Sequence, residues 1–117
     1  MKRKDRRSYN EIPFLKKDLV EKYCSSRFNF ETAENAISNA EENIEKSQKK
    51  LAEMDDVDDM IKEWFDAFVS INNYKIEIGM ESKAYYMERM EKYGKLVISD
   101  YDEDLEKLYA NYKININ

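Results

Sequence analysis

Carboxylates are the chain's most plentiful reactive groups, and four of them are spaced suggestively. Glu42 and Glu45 form an E-x-x-E pair, and Glu63 and Asp66 form an E-x-x-D pair with seventeen residues between the two. A third acidic feature is the cluster Asp55, Asp56, Asp58 and Asp59 around Val57. Hard cations favour several oxygens held close together, so this cluster invites a divalent-ion reading, but it lacks the glycine and terminal glutamate of an EF-hand loop. Helix capping explains it more simply. The chain contains no histidine, so serine and cysteine triads, imidazole acid–base catalysis and histidine metal sites are all closed to it. The one cysteine, Cys24, rules out a four-thiolate zinc site and an internal disulfide, and its place beside Tyr23 on an amphipathic segment reads as a structural thiol.

The two acidic pairs are similar in spacing to those of the all-helical nucleotide pyrophosphohydrolases of the MazG and dimeric dUTPase group. That resemblance implies that Glu42, Glu45, Glu63 and Asp66 on two facing helices would hold magnesium and activate water against a nucleotide phosphate. It covers about a fifth of the chain. The apolar register argues the other way. With Ile37 and Ile44 at position a of a heptad and Ala40 at d, Glu42 falls at f and Glu45 at b, facing away from the seam. Glu63 and Asp66 likewise flank Trp64 on outward positions, whereas a metal site between helices needs inward carboxylates. The sequence therefore assigns no catalytic, metal-binding or cofactor-binding residues.

Charge is unevenly distributed. Residues 1–17 hold seven basic and two acidic groups, while residues 31–71 hold twelve acidic and four basic. Lys2, Arg3, Lys4, Arg6 and Arg7 form an arm that could grip phosphates without reading bases. Residues 14–40 can be laid out as helix, turn and helix. The second of these would carry Glu31, Glu34, Glu41 and Glu42 towards a nucleic-acid backbone, so base reading by it is disfavoured. Aromatic residues make up 13% of the chain, with Tyr85, Tyr86, Tyr93, Tyr101, Tyr109 and Tyr112 crowded late. Beyond what a core absorbs, such a surplus suits an interface, to which Met80, Met87 and Met90 add adaptable apolar surface.

The elements that must position these groups are read from periodicity. Residues 1–11 are expected to be a flexible basic arm and residues 12–117 a single helical domain. Pro13 suits a first helical turn, and Phe14, Leu15, Leu19, Val20 and Tyr23 mark a short helix ending in a turn at Ser25–Asn29. From an Asn29 cap, the ladder Phe30, Ala33, Ile37, Ala40, Ile44, Ser47, Leu51 and Met54 predicts a long helix. Its small residues at 33, 40 and 47 would admit a close neighbour. After the aspartate cluster a new ladder, Val57, Ile61, Trp64, Phe68 and Ile71, predicts another helix, with an end near Asn72 and Asn73 or a much longer continuation both open. Residues 74–81 alternate like a strand, although Ile71, Ile78 and Tyr85 also share a helical stripe, which leaves a short β element open there. A helix over Ser82–Tyr93 with Gly94 as its C-cap is expected next. Ser99 or Asp100 would then cap a last helix through Leu105, Leu108, Tyr109 and Tyr112, and 113–117 would fray or form an edge.

Two glycines and one proline in 117 residues disfavour a sandwich or barrel, and no run approaches the length of a membrane span. The fold expected is mainly α, a helical hairpin or small bundle with coiled-coil-like seams, and a reducing cytoplasm is the expected compartment. The functional expectation is a non-enzymatic interaction protein, resembling in general terms small phage or mobile-element accessory proteins that modulate or inhibit a macromolecular complex, including by mimicking a nucleic-acid backbone. Its candidate binding residues are Glu41, Glu42, Glu45, Asp55, Asp56, Asp58, Asp59, Glu63, Tyr85, Tyr86 and Tyr93. The alternatives are nucleic-acid binding by the arm and the magnesium-dependent pyrophosphohydrolase, and self-association through the seam is a further expectation.

Overall fold

The computed structural model describes residues 11–116, with side chains from Leu15 onward. The fold is mainly α, a helical hairpin of α1 (Glu11–Ala52) and α2 (Asp59–Tyr101) followed by a short α3 (Leu105–Ile116). No strand occurs among the described residues, and the alternating segment 74–81 is helical throughout. No described helix is long and apolar enough to cross a membrane. The proposed arm, Lys2, Arg3, Lys4, Arg6 and Arg7, lies outside the described residues.

The helix ends follow from local chemistry. α1 stops at Ala52 with Lys49 and Lys50 in its last turn, where cations oppose the negative end of the helix dipole. The Met54 amide then donates to the Leu51 carbonyl at 3.2 Å, tightening the exit. The aspartate cluster is the turn and restart expected of it: Asp58 Oδ1 accepts the Ile61 amide at 2.8 Å, an N-cap that starts α2. At the far end of α2 the Asp102 amide donates to the Ile98 carbonyl at 2.9 Å, and Asp102 takes a left-handed backbone with φ of 55°. Asp104, rather than Ser99 or Asp100, caps α3, its Oδ1 accepting from the amides of Glu106 at 3.0 Å and Lys107 at 3.4 Å.

Two expected breaks do not occur, and at Asn72 α2 takes the continuing course of the two left open. Residues 25–29 continue α1, because Ser26 turns its hydroxyl back onto the Lys22 carbonyl at 2.7 Å and is satisfied inside the helix. Asn72 likewise donates to the Phe68 carbonyl at 2.8 Å and sits inside α2. Gly94 is not a C-cap: it is buried in mid-helix, where a Cβ would lie 3.1 Å from the Tyr23 ring.

The chain divides into two compact units, one of residues 31–83 and one of residues 1–30 with 84–117. In the first, the α1 ladder is buried as expected. Ala33, Ala40 and Ser47 are covered and Ile37, Ile44 and Leu51 half-covered. Against them α2 presents Phe65, Asn72 and Gly79, all buried. Asn43 donates to Asn72 at 3.3 Å, and Gly79 lets the Ile37 side chain approach to where a Cβ would stand 2.6 Å from it. In the second unit, Tyr23, Cys24 and Tyr109 form the core, with Met90, Tyr93, Leu105 and Leu108 packed around them. Arg27 fastens α3 there. Its guanidinium reaches both Glu106 carboxylate oxygens at 3.0 and 2.8 Å, donates to the Tyr23 hydroxyl at 3.0 Å, and lies 4.3 Å from the Tyr109 ring centre.

Candidate interaction surface

α2 carries two apolar ladders one residue out of step. The inward one runs through Ile61, Phe65, Phe68, Asn72, Ile76 and Gly79, and the outward one through Met60, Trp64, Ala67, Ile71, Tyr74 and Ile78. This corrects the sequence-based register, in which Trp64 and Ile71 belonged to the buried seam. In the structure Met60 is 79% exposed, Trp64 61%, Ile71 55%, Tyr74 63% and Ile78 45%. The physical reason lies in the partner helix. Gly79 and Asn72 fit against Ile37 and Asn43, and a step of one residue turns a helix by roughly 100°.

The outward ladder repeats every seven residues at Trp64, Ile71 and Ile78, with Met60, Ala67 and Tyr74 between, which is the a/d pattern of a coiled-coil seam. Its exposed area is roughly 600 Å², at the upper end of the largest apolar patch that a monomer ordinarily leaves. Trp64 is held in place. Its ring stacks on Phe68 with centres 5.5 Å apart and meets Phe65 edge-on at 5.0 Å. Beside it a cleft of about 190 Å³ runs between Lys46 and Lys50 of α1 and Phe65 of α2.

Acidic groups border this stripe. Asp59, Glu63 and Glu77 are exposed along one side, where Lys62 is exposed as well, and Lys75 of α2 with Lys46 and Lys50 of α1 border the other, while Asp66 lines a cleft with Ser47, Gln48 and Leu51 of α1. Within residues 31–83 there are fourteen acidic and six basic residues. Of the acidic candidates from sequence, Glu41, Glu42 and Glu45 are exposed on α1, Asp55, Asp56 and Asp58 on the connection, and Asp59 and Glu63 on the first turns of α2. Glu42 pairs with Lys46 at 2.9 Å, one helical turn away. Glu45, Glu63 and Asp66 face solvent with it, and no group of three carboxylates or thiols gathers to hold a metal among the described residues.

The tyrosine candidates separate. Tyr85 is exposed and meets the half-buried Tyr86 edge-on at 5.0 Å. Both line a polar groove of about 520 Å³ with Lys22, Ser25, Arg89 and Tyr112. Arg89 lies 5.4 Å from the Tyr85 ring and 5.3 Å from that of Tyr93. Asp18 hydrogen-bonds Lys22 in this groove and pushes its ammonium pKa up. Tyr93 packs against the core, and so do Met90 and Tyr109, whereas Met80 and Met87 are exposed. Cys24 is buried beneath, and burial pushes its thiol pKa up, away from a reactive thiolate.

The outward stripe is what sequence reasoning missed. Its signal was present as a second seven-residue period on α2, overlooked because Trp64, Ile71 and Ile78 are the more hydrophobic set and so the more obvious core. No protein-family model, curated protein or solved structure matches this chain.

Proposed function

We propose that this chain is a non-enzymatic helical interaction protein that docks a protein partner along the outward face of α2. The observation that carries the reading is the row Met60, Trp64, Ile71, Tyr74 and Ile78, exposed at coiled-coil spacing. Aromatic anchors already held by neighbours lose little freedom when a partner covers them, which is how interface hot spots gain affinity. The acidic surplus of residues 31–83 favours a partner with a basic surface, such as a nucleic-acid-binding complex that the protein would modulate by occupying it.

The test is site-specific photo-crosslinking in cells that naturally produce the protein. A photoreactive amino acid at position 74 should capture a protein, whereas the same group at Ser38, exposed on α1, should not. Capture of nucleic acid from position 74, or equal yields from both positions, would refute the reading. Capture should also weaken as salt rises, because exposed charges are screened within about 10 Å at 0.1 M.

A further inference from the structure

The outward ladder lies within the unit of residues 31–83, and its heptad register fixes what borders it. With Trp64, Ile71 and Ile78 at a and Met60, Ala67 and Tyr74 at d, the g positions on one flank are Glu63, Ser70 and Glu77. The e positions on the other flank include Phe68 and Lys75. This e flank adjoins α1, because Phe68 lines the cleft with Lys46 and Lys50. The seam is thus bordered by acid on one side and by base on the other. Lys62 is exposed on the acidic side, but a step of one residue turns a helix by roughly 100° and carries it behind Glu63, away from the seam. Asp66 is turned towards Ser47, Gln48 and Leu51 of α1.

A face with opposite charges on its two flanks complements itself in one orientation alone. In a parallel pair of helices related by a two-fold axis, each g flank meets the e flank of the other copy, whereas an antiparallel pair sets g against g and e against e. Parallel pairing therefore brings Glu63 of each copy to the cleft that carries Lys46 and Lys50 in the other, and Glu77 to the flank that carries Lys75. Antiparallel pairing would oppose Glu63 to Glu77. Isoleucine at a, as at positions 71 and 78, favours a parallel two-stranded seam, and the small Ala67 layer leaves room for the bulky Trp64 layer beside it. Each copy offers roughly 600 Å² of apolar surface, so a pair covers about 1,200 Å², the lower bound of a specific interface before its charged flanks are added. The apolar row stops where the next d position is Glu81.

Building on the interaction reading above, we infer that the protein partner at this face is a second copy of the chain, packed parallel about Ile71 with the Glu63 flank of each copy against Lys46 and Lys50 of the other. Glu41 and Glu45 point away from Lys50 on α1 and stay exposed in the pair, where a basic surface can still meet them.

Trp64 is the chain's single tryptophan and lies in the seam, so pairing reports on itself. At about 50 µM the full chain should sediment as a dimer, and dilution should shift Trp64 emission to the red as the copies part. Ile71→Glu should sediment as a monomer with unchanged circular dichroism, since Ile71 is exposed. Charge exchange reads the orientation. Glu63→Lys and Lys50→Glu should each weaken the dimer by about threefold or more, because the two-fold axis repeats every flank contact. Mixed in equal amounts, these two variants should pair with each other at least as tightly as the parent pairs with itself, since each reversed charge then meets its opposite.

A monomer at that concentration, an assembly larger than a dimer, or a dimer that survives Ile71→Glu would overturn the inference. So would a Glu63→Lys protein that pairs more tightly than the parent, the mark of antiparallel packing with Glu63 against Glu77. Capture of a different protein from position 74 by a chain that stays monomeric would leave the interaction reading standing and remove this inference alone. A monomer that captures no protein there would remove both.

Discussion

Gly79 and Gly94 lie in the same helix, yet the structure predicts different responses to alanine. Both substitutions gain about 1 kcal/mol of helix propensity, so the difference between them isolates packing. At Gly79 the new Cβ would stand 2.6 Å from Ile37 Cγ1 and 3.3 Å from its Cδ1. Cγ1 is close to the backbone of a β-branched residue and cannot swing away, so the helices must part or Ile37 must leave its rotamer. Overpacking of this kind costs about 1–3 kcal/mol. After the propensity gain, Gly79→Ala should destabilise by about 1 kcal/mol, lowering the melting temperature by roughly 3–5 °C for a chain of this length. At Gly94 the nearest atoms are Tyr23 Cε1 at 3.1 Å, Cδ1 at 3.2 Å and Leu105 Cδ1 at 3.3 Å, which a ring and a leucine tip can yield by small rotations. Gly94→Ala should stay within about 0.5 kcal/mol of the parent. Urea unfolding followed by circular dichroism at 222 nm measures both. Ile37→Ala closes the cycle: with the obstructing atom gone, Gly79→Ala should become neutral or stabilising. A Gly79→Ala protein as stable as Gly94→Ala, or a penalty that survives Ile37→Ala, would refute the close approach of α1 and α2 at this point.

Three further outcomes follow from local chemistry. The Glu106 carboxyl is held below the usual glutamate range by its hydrogen bonds to Arg27, so the stability it contributes is present above its unfolded pKa of about 4.3 and is lost as pH falls through the lowered folded value. Melts taken from pH 7 to 3 should therefore steepen their decline below about pH 4.5, and Glu106→Gln should flatten that limb. Cys24 is 1% exposed and its thiol pKa is pushed up by burial, so iodoacetamide should leave it unmodified in native protein and label it fully in urea, read by mass. Asp102, left-handed at the C-terminal end of α2 and carrying the charge that the helix dipole opposes there, should give about 1 kcal/mol of added stability on replacement by glycine, measured by the same urea unfolding.

Much of the fold was legible because α1 repeats without a slip from Phe30 to Leu51, and small residues at 33, 40 and 47 announced a close neighbour that the structure supplies. The aspartates around Val57 were legible as a turn because a carboxylate before an apolar ladder has an evident partner in the free amides of a helix start. The boundaries misplaced or left open share a cause. Ser26 and Asn72 are residues that end helices when their side chains compete for the backbone from outside, and here each bonds the carbonyl four residues back and stays inside. Gly94 resembled a cap, but its role is to make room for Tyr23, a contact between residues 71 positions apart that no local pattern encodes.

The same non-local choice decided the interaction face. Two ladders on α2 competed for burial, and hydropathy alone favours the row Trp64, Ile71 and Ile78 over Phe65, Asn72 and Gly79. What selects the other is shape and pairing across the hairpin: Gly79 receives Ile37, and Asn72 finds Asn43. A buried asparagine costs stability unless paired, and its pairing fixes the register, as polar residues at coiled-coil core positions do. The row Trp64, Ile71 and Ile78, more hydrophobic than Phe65, Asn72 and Gly79, is thereby left on the surface. The acidic pairs are insensitive to this rotation: Glu63 and Asp66 are exposed with the seam at Phe65 and Asn72, and would be outward with the seam at Trp64 and Ile71 as well. Glu63 stands beside the uncovered apolar row, and Asp66 lines a cleft with Ser47, Gln48 and Leu51 of α1, where among the described residues no second and third carboxylate gather with it to make a ligand set between α1 and α2.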